Sequence, residues 1–570
     1  MPPNFAELKS AAQQRQQELS SKPWIRVGTA LCGKAAGADA VIAALKSELQ
    51  KRHMQATISE VGCLGPCFAE PLVDVSAPNT PRVVYHNVTP EMACHIVQSH
   101  LVHHKPAADL ALGVVDAGGV MPGLAKLADH PMMKGQVRIA LRNAGHVDPM
   151  DIYQYIANDG YAALHKALTS MTAEQVREQV TKSGLRGRGG AAFPTGTKWN
   201  FLAVSKQPVK YVLVNCEEGD PGAFNDKGIL ESDPHSLLEG LILSGYATGA
   251  IKGYVFIRHG HEGPIDRTWK AIDQAYELGL LGKNILGSNF GFDAEVALTG
   301  DSYVAGEETA LMEAIEGKRS MPRYRPPFPA QVGLFGKPSN INNVKTLSYV
   351  PQIILKGGDW FASIGQDKSK GTAILCLSGD LKYTGLMEVP LGVTMRHVIE
   401  NMAGGSRSGK RIKVLQTGGP LGGVLSGDGM DIALDFEVMA KAGAILGSGG
   451  IIAADESTCV VDLTRNLVAF CQYESCGKCF PCRTGMSHLL EVLERICRFE
   501  GTAQDLELMR SVGQSMQAGS LCGHGQLGFN PVSSALKFFG SEFDQHLRDK
   551  VCPTGRCNEP WNPPVKTRRY

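Results

Sequence analysis

Tyr211-Val212-Leu213-Val214-Asn215-Cys216-Glu217-Glu218-Gly219-Asp220-Pro221-Gly222 is an apolar, β-branched run that breaks into an acidic loop ending in glycine and proline. Such a run, closed by turn residues, reads as a buried strand delivering a loop to the edge of a sheet. Outward from it, strands at Gly253–Arg258 and Asp293–Leu298 alternate with helices at Pro264–Leu280 and Gly306–Lys318. Alternation of that kind predicts a parallel α/β sheet.

The totals agree with a multidomain globular chain. Its 570 residues suffice for about three or four cores, and 43% apolar with 20% charged residues is ordinary composition. A net charge of +1 argues against a nucleic-acid footprint. No apolar run reaches membrane-spanning length, and MPPNFAELKSAAQQRQQELSS lacks a signal-peptide core, so a cytoplasmic location without membrane insertion is expected. The 65 glycines are clustered in short loops rather than repeated, as where backbone lies against a ligand. Fifteen cysteines without export signals favour metal ligation over disulfides.

The domain boundaries expected are a small α/β domain at 1–104, a linker at 105–148, an α/β domain at 149–365, a β-grasp-like module at 366–447 and a helical domain at 448–570. Residues 1–20 read as a lone polar helix.

Glu474-Ser475-Cys476-Gly477-Lys478-Cys479-Phe480-Pro481-Cys482-Arg483-Thr484-Gly485 carries the sharpest chemical signal. Three thiolates spaced C-x2-C-x2-C can wrap one corner of an iron–sulfur cubane, and Cys522 is the natural fourth ligand. Zinc is the alternative, although structural zinc more often uses two separated C-x2-C pairs. Cys216, Cys376, Cys459, Cys471 and Cys497 lack partner spacing and are expected to pack as small apolar residues. Cys552 and Cys557 form a near-terminal pair of weaker meaning.

Glycine-dense loops precede that run. Gly187–Trp199 matches neither a Walker A sequence nor a G-x-G-x-x-G fingerprint, yet its glycines let backbone approach a flat ring or a phosphate, with Lys198 for anionic oxygen. The 215–222 loop offers acceptors to ribityl or ribose hydroxyls. Tyr303–Thr309 places Glu307 and Glu308 at a helix start, where capping is an equally plain role.

Taken in order, SGLRGRGGAAFPTGTKW (183–199), EEGDPGAF (217–224), YVAGEETAL (303–311), RPPFP (325–329), NNVKT (342–346) and ESCGKCFPCRTG (474–485) resemble the NADH-oxidising flavoprotein subunits of respiratory complex I. Soluble relatives in NAD-linked formate dehydrogenases, hydrogenases and bifurcating complexes share them. The resemblance spans roughly 140–540. It implies a Rossmann-like FMN domain, a β-grasp module and a C-terminal helical bundle holding a [4Fe-4S] cluster on Cys476, Cys479, Cys482 and Cys522. It further implies FMN contacts at Gly187, Arg188, Gly189, Lys198, Asn215, Glu217, Glu218, Tyr303, Gly306, Glu307, Asn342, Asn343 and Thr346. NAD(H) contacts are implied at Phe193, Lys198, Phe201, Asp220, Glu308, Arg325 and Phe328. Three positions depart from the family: Glu217 for Asp, Arg325 for Lys and Lys345 for Glu.

The N-terminal domain resembles the thioredoxin-like [2Fe-2S] domain of the same systems. Cys63-Leu64-Gly65-Pro66-Cys67 matches the second cysteine pair and Cys32 one member of the first; Val27 and Gly37 stand five residues either side of it. Three thiolates are one short of the usual four. A scaffold without its cluster is favoured, and a cluster with an unusual fourth ligand is the alternative; Cys94 falls in a helix.

The resemblance implies an NADH dehydrogenase (diaphorase) subunit, in which flavin converts between hydride and single-electron chemistry without a general acid or base. Expected partners are NADH/NAD+, a thioredoxin-like [2Fe-2S] subunit and a larger catalytic subunit. Direction is open: NAD+ reduction with electrons from formate or hydrogen, or bifurcation, uses the same relay. A non-catalytic wiring subunit that lost its flavin is the rival class, and the intact glycine loops argue against it.

Overall fold

The computed structural model describes residues 4–78, 80–115 and 123–558. Residues 116–122 of the expected linker and 559–570 of the expected helical domain lie outside the described residues.

Four layers of secondary structure follow one another along the chain. Strands β1 (Trp24–Gly28), β2 (Thr57–Val61), β3 (Val73–Ala77), β4 (Thr80–Tyr85) and β5 (Ala111–Val114) form a sheet of order β2-β1-β3-β4-β5. Only β1 and β2 are parallel. Ile25, Val27, Leu45, Val73 and Val83 make its core, at 0% exposure apiece. Two expectations need correction here. The segment read as a linker contributes β5, whose Val114 and Gly113 pair with Val83 and Val84, and it buries Ile139, Ala140 and Leu141 in the neighbouring core. Nor is the first helix, Phe5–Ser20, alone: it buries Leu8 and Ala12 against the helix Ile152–Ala157, and Phe5 stacks on His165 at 4.7 Å. Its apolar residues sit three and four apart, so even a mostly polar helix owns one buriable edge.

The second sheet is wholly parallel: β6 (Tyr211–Cys216), β7 (Lys252–Arg258), β8 (Asp293–Thr299) and β9 (Ser339–Asn343), in the order β8-β7-β6-β9. Chain order runs outward from β6 in one direction and then reverses to β9. In such sheets the crevice for a ligand opens outside the carboxyl ends of the strands at the point of reversal. Behind it lie the helices Pro234–Thr248 and Val344–Lys356, both almost entirely buried. They approach so closely at Gly240 that a Cβ there would stand 2.1 Å from the Leu347 carbonyl oxygen.

A short hairpin, β10 (Gly365–Gln366) and β11 (Ser369–Lys370), leads to the third sheet. It contains β12 (Thr372–Gly379), β13 (Gly385–Pro390), β14 (Ile412–Thr417), β15 (Val424–Ser426) and β16 (Gly450–Asp455), in the order β13-β12-β16-β14-β15. The central strand β16 lies beyond residue 447, where the module was expected to end. Its buried positions alternate only briefly, which hides a strand wedged between two others. Last come the helices Val460–Tyr473, Phe480–Cys497, Ala503–Gly519 and Asn530–Asp544, packed on Val468, Met486, Leu493, Met509 and Met516. Among the described residues no helix is long and apolar enough to cross a membrane.

Candidate functional site

The crevice at the β6/β9 reversal gathers the glycine loops. Leu185 and Thr195 bracket the 187–194 loop, the Thr195 N–H donating to the Leu185 carbonyl at 2.9 Å, and the Gly187 N–H donates to Phe193 at 2.8 Å. Gly190 has φ +125°, a conformation only glycine adopts comfortably, and a Cβ at Gly189 would crowd Asn343 at 3.1 Å. Arg188 anchors the loop rather than presenting its charge to the crevice. Its guanidinium donates to the carbonyls of Arg186, Lys370 and Thr372 at 2.6–3.1 Å, and its N–H to Thr346 Oγ1 at 2.9 Å.

Asn215, at the end of β6, donates to the Gly306 carbonyl at 2.7 Å, and its own oxygen accepts from the Glu217 N–H. Glu217 is buried, with Arg258 and the Gly219 N–H at 2.9 Å. Burial raises its carboxyl to about 8, only partly opposed by Arg258 and that N–H. The methylene by which it exceeds Asp is accommodated because residue 306 is glycine, 3.2 Å from Glu217 Oε2 even as a notional Cβ. Glu218 accepts the Asp226 and Lys227 N–H groups, both at 2.7 Å, and so caps the helix Asn225–Ser232. Asn342 accepts from Trp199 Nε1 and donates to Asn340; Asn343 donates to Asp226. Lys345 is 2% exposed and compensated by Asp226 at 3.2 Å and by Asn225 and the Ser448 carbonyl.

The outer rim carries the residues expected to meet the dinucleotide. Phe193, Phe201 and Phe328 are 45%, 54% and 55% exposed, an unusual display of large apolar rings. Glu308 joins Lys198 (3.3 Å) and Arg325 (2.8 Å) in one ion-pair chain. Glu307 takes the capping role, accepting from the Thr309 and Ala310 N–H groups at 2.9 Å.

Beneath the crevice, Cys476, Cys479, Cys482 and Cys522 line one cavity together with Val304, Pro322 and His524. Gly477 turns the loop with φ +73°, and Cys479 starts the helix Phe480–Cys497, with Pro481 in its first turn. Two glycines allow close packing around the helix that follows: a Cβ at Gly485 would meet Met516 Sδ at 2.5 Å and one at Gly525 would meet Cys482 Cβ at 2.8 Å. Four thiols converging on one enclosed space fit a cubane. Tyr303 links the two places. Its hydroxyl donates to Asp220 at 2.7 Å, its N–H donates to Glu474 at 2.9 Å, and its ring packs edge-on against His524 and Phe470.

Spacing alone missed another donor set. Cys459, His546, Cys552 and Cys557 bring their ligand atoms within 4.8 Å of one another. Cys459 Sγ lies 3.6 Å from His546 Nε2 and 3.7 Å from Cys557 Sγ, while His546 Nδ1 donates to the Glu542 carbonyl at 2.8 Å. That bond fixes the tautomer and frees Nε2 for a metal, the arrangement of structural Cys3His sites. Cys459 packs in the helical core as expected and in addition joins Cys552 and Cys557 in a donor set that could hold a metal. The legible hint was His546-x5-Cys552-x4-Cys557.

A nucleotide crevice joined through Tyr303 to a four-thiol cavity defines a flavin and iron–sulfur oxidoreductase component. Comparison with known proteins makes this specific. Residues 180–352 match the Nuo51 FMN-binding domain, and 462–546 match the NADH-ubiquinone oxidoreductase-F iron-sulfur binding region. The NADP-reducing hydrogenase subunit HndC of Solidesulfovibrio fructosivorans is 46% identical over 74% of this chain and 86% of its own length. The second NADH-quinone oxidoreductase F protein of Rhizobium meliloti (strain 1021) is 42% identical over 73% and 99%. In fold, the chain is similar to a chain of NAD+-reducing [NiFe]-hydrogenase in the air-oxidized state, with 25% identity, a TM-score of 0.64, and 96% and 88% of the two chains covered. The chain belongs to the family of NADH-quinone oxidoreductase F proteins. It is an NADH dehydrogenase subunit with FMN and a [4Fe-4S] cluster, passing electrons between NAD(H) and an iron–sulfur chain.

Proposed function

We propose that FMN is held by the 187–198 loop, Asn215, Glu217, Glu218, Tyr303, Gly306, Asn342, Asn343 and Thr346, with NAD(H) entering over the aromatic rim. The observation that carries this reading is the Tyr303–Glu308 segment, which touches the crevice through Gly306 and the thiol cavity through Val304. FMN supplies, when bound, the exchange between hydride and single-electron transfer. The chain's own residues bind and orient. Phe193, Phe201 and Phe328 offer faces for stacking, Lys198 and Arg325 meet phosphate oxygens, and Glu308 selects for an unphosphorylated ribose by charge repulsion. Glu307 caps its helix through Oε2 and turns Oε1 toward Arg325 on the rim.

The cluster ligands are Cys476, Cys479, Cys482 and Cys522, and electrons leave toward a thioredoxin-like [2Fe-2S] subunit and a larger catalytic subunit that sets direction. A location in the cytoplasm accords with this soluble-type relay. Steady-state kinetics of the anaerobic holoenzyme test the assignment. Phe328→Ala is expected to raise KM for NADH about tenfold, the equivalent of ~1.4 kcal/mol of lost stacking, with bound FMN retained. An unchanged KM, or better turnover with NADPH than NADH in the wild type, would defeat it.

A further inference from the structure

The resemblance of the N-terminal domain to a thioredoxin-like ferredoxin calls for a two-iron centre with four ligands, and the residues present do not fit one. Sulfurs around a single tetrahedral ion, at ~2.3 Å from it, stand about 3.8 Å apart. In a two-iron core the two thiolates on one iron stand equally close, and only thiolates on different irons are held farther apart. The resemblance puts Cys32 in the other ligand pair from Cys63 and Cys67, yet the three are not held apart. Their sulfurs all lie within 4.8 Å, and Cys63 and Cys67 are 3.5 Å apart. The spacing suits one ion.

Beside the three-cysteine group, and next to Cys32, stands a carboxylate able to supply a fourth donor. Glu70 is 6% exposed, and its Oε1 faces Cys32 Sγ at 3.9 Å while Oε2 accepts the Leu72 N–H at 2.7 Å. Among the described residues, no cationic side chain forms an ion pair with it. A buried carboxylate beside three thiols stays ionised only where a cation shares the space, and otherwise holds its proton. Two glycines make the room it occupies: a Cβ at Gly28 would lie 2.9 Å from Glu70 Oε2, and one at Gly33 3.2 Å. The Gly65 N–H, donating to Cys63 Sγ at 3.3 Å, is the kind of second contact that orients a ligand.

The same loops form the seam between domains. Leu31 donates its N–H to the Glu231 carboxylate of the flavin domain at 3.2 Å. Leu386 of β13 donates to the Gly65 carbonyl at 2.9 Å, and Phe68 donates to Thr384 at 3.2 Å. Arg138 clasps the Leu64 carbonyl at 2.8 Å. We propose that Cys32, Cys63, Cys67 and Glu70 hold one tetrahedral divalent ion of the zinc class, which fixes these loops against the flavin domain and the β-grasp module. An ion without redox chemistry carries no electrons, so the domain is a structural clamp and the cubane is this chain's own exit.

Metal analysis of anaerobically purified full-length holoenzyme decides the matter. Cys63→Ser is expected to lose one equivalent of zinc relative to wild type, with iron and acid-labile sulfide unchanged and the junction cut faster by protease. Glu70→Gln, a milder change that keeps the fold, is expected to lose the same equivalent on dialysis against a chelator that leaves the wild type intact. Loss of iron and of a reduced-state paramagnetic signal in Cys63→Ser would overturn the proposal in favour of a binuclear cluster. Equal zinc in wild type and Cys63→Ser would overturn it altogether, and equal retention in Glu70→Gln would remove Glu70 from the ligand set.

Discussion

Glu217 sits at the carboxyl end of the central parallel strand, desolvated by the crevice it lines. Because its native carboxyl titrates near 8 against about 4.5 in the unfolded chain, the folded state binds its proton more tightly. The resulting stabilisation is full below pH 4.5 and is lost as pH rises through about 8. Thermal unfolding of Glu217→Gln from pH 5 to 9 is therefore expected to show a shallower decline on the alkaline side than wild type. A parallel pair of curves would mean that Glu217 does not titrate in this range. Cys522 makes a second residue-scale case. It is the one cubane ligand far from the others in sequence, and Cys522→Ser should lower iron content and cut electron delivery to one-electron dyes at least tenfold. Bound FMN should persist, because the flavin loops lie on other elements.

At the scale of elements, the buried helix Pro234–Thr248 lies against Val344–Lys356 with Gly240 at the crossing. No rotamer relieves a Cβ placed 2.1 Å from a backbone carbonyl, so Gly240→Ala must push the two helices apart. A loss of about 2–3 kcal/mol is expected, the range of overpacked cores, read as a fall in Tm. A smaller glycine penalty holds at the surface, where Gly317→Ala meets nothing but still occupies φ +74°; about 1 kcal/mol is expected there. Comparing the two separates steric crowding from backbone strain.

Across the whole molecule, the Cys459–His546–Cys552–Cys557 set ties the start of one C-terminal helix to the chain beyond the last. Removing one member of this donor set should free that end without touching the crevice. Cys459→Ser is expected to lower zinc content and Tm while NADH oxidation by dye stays within about twofold, measured on the same preparation.

Chemistry contiguous in the chain was legible without coordinates. The C-x2-C-x2-C run, the glycine loops and the strand feeding Asn215 each carry their donors within a dozen residues, so local spacing already states what they can bind. Less visible were features assembled from distant parts. The polar first helix docks through three apolar residues, β16 hides between two neighbouring strands, and a cysteine at 459 meets partners near 550 only because helices fold it there. Composition and order thus determined which donor atoms this chain owns and its parallel flavin-type sheet. Tertiary structure alone decided which of those atoms stand together, because that depends on distances of a few ångströms between segments that the sequence leaves unrelated.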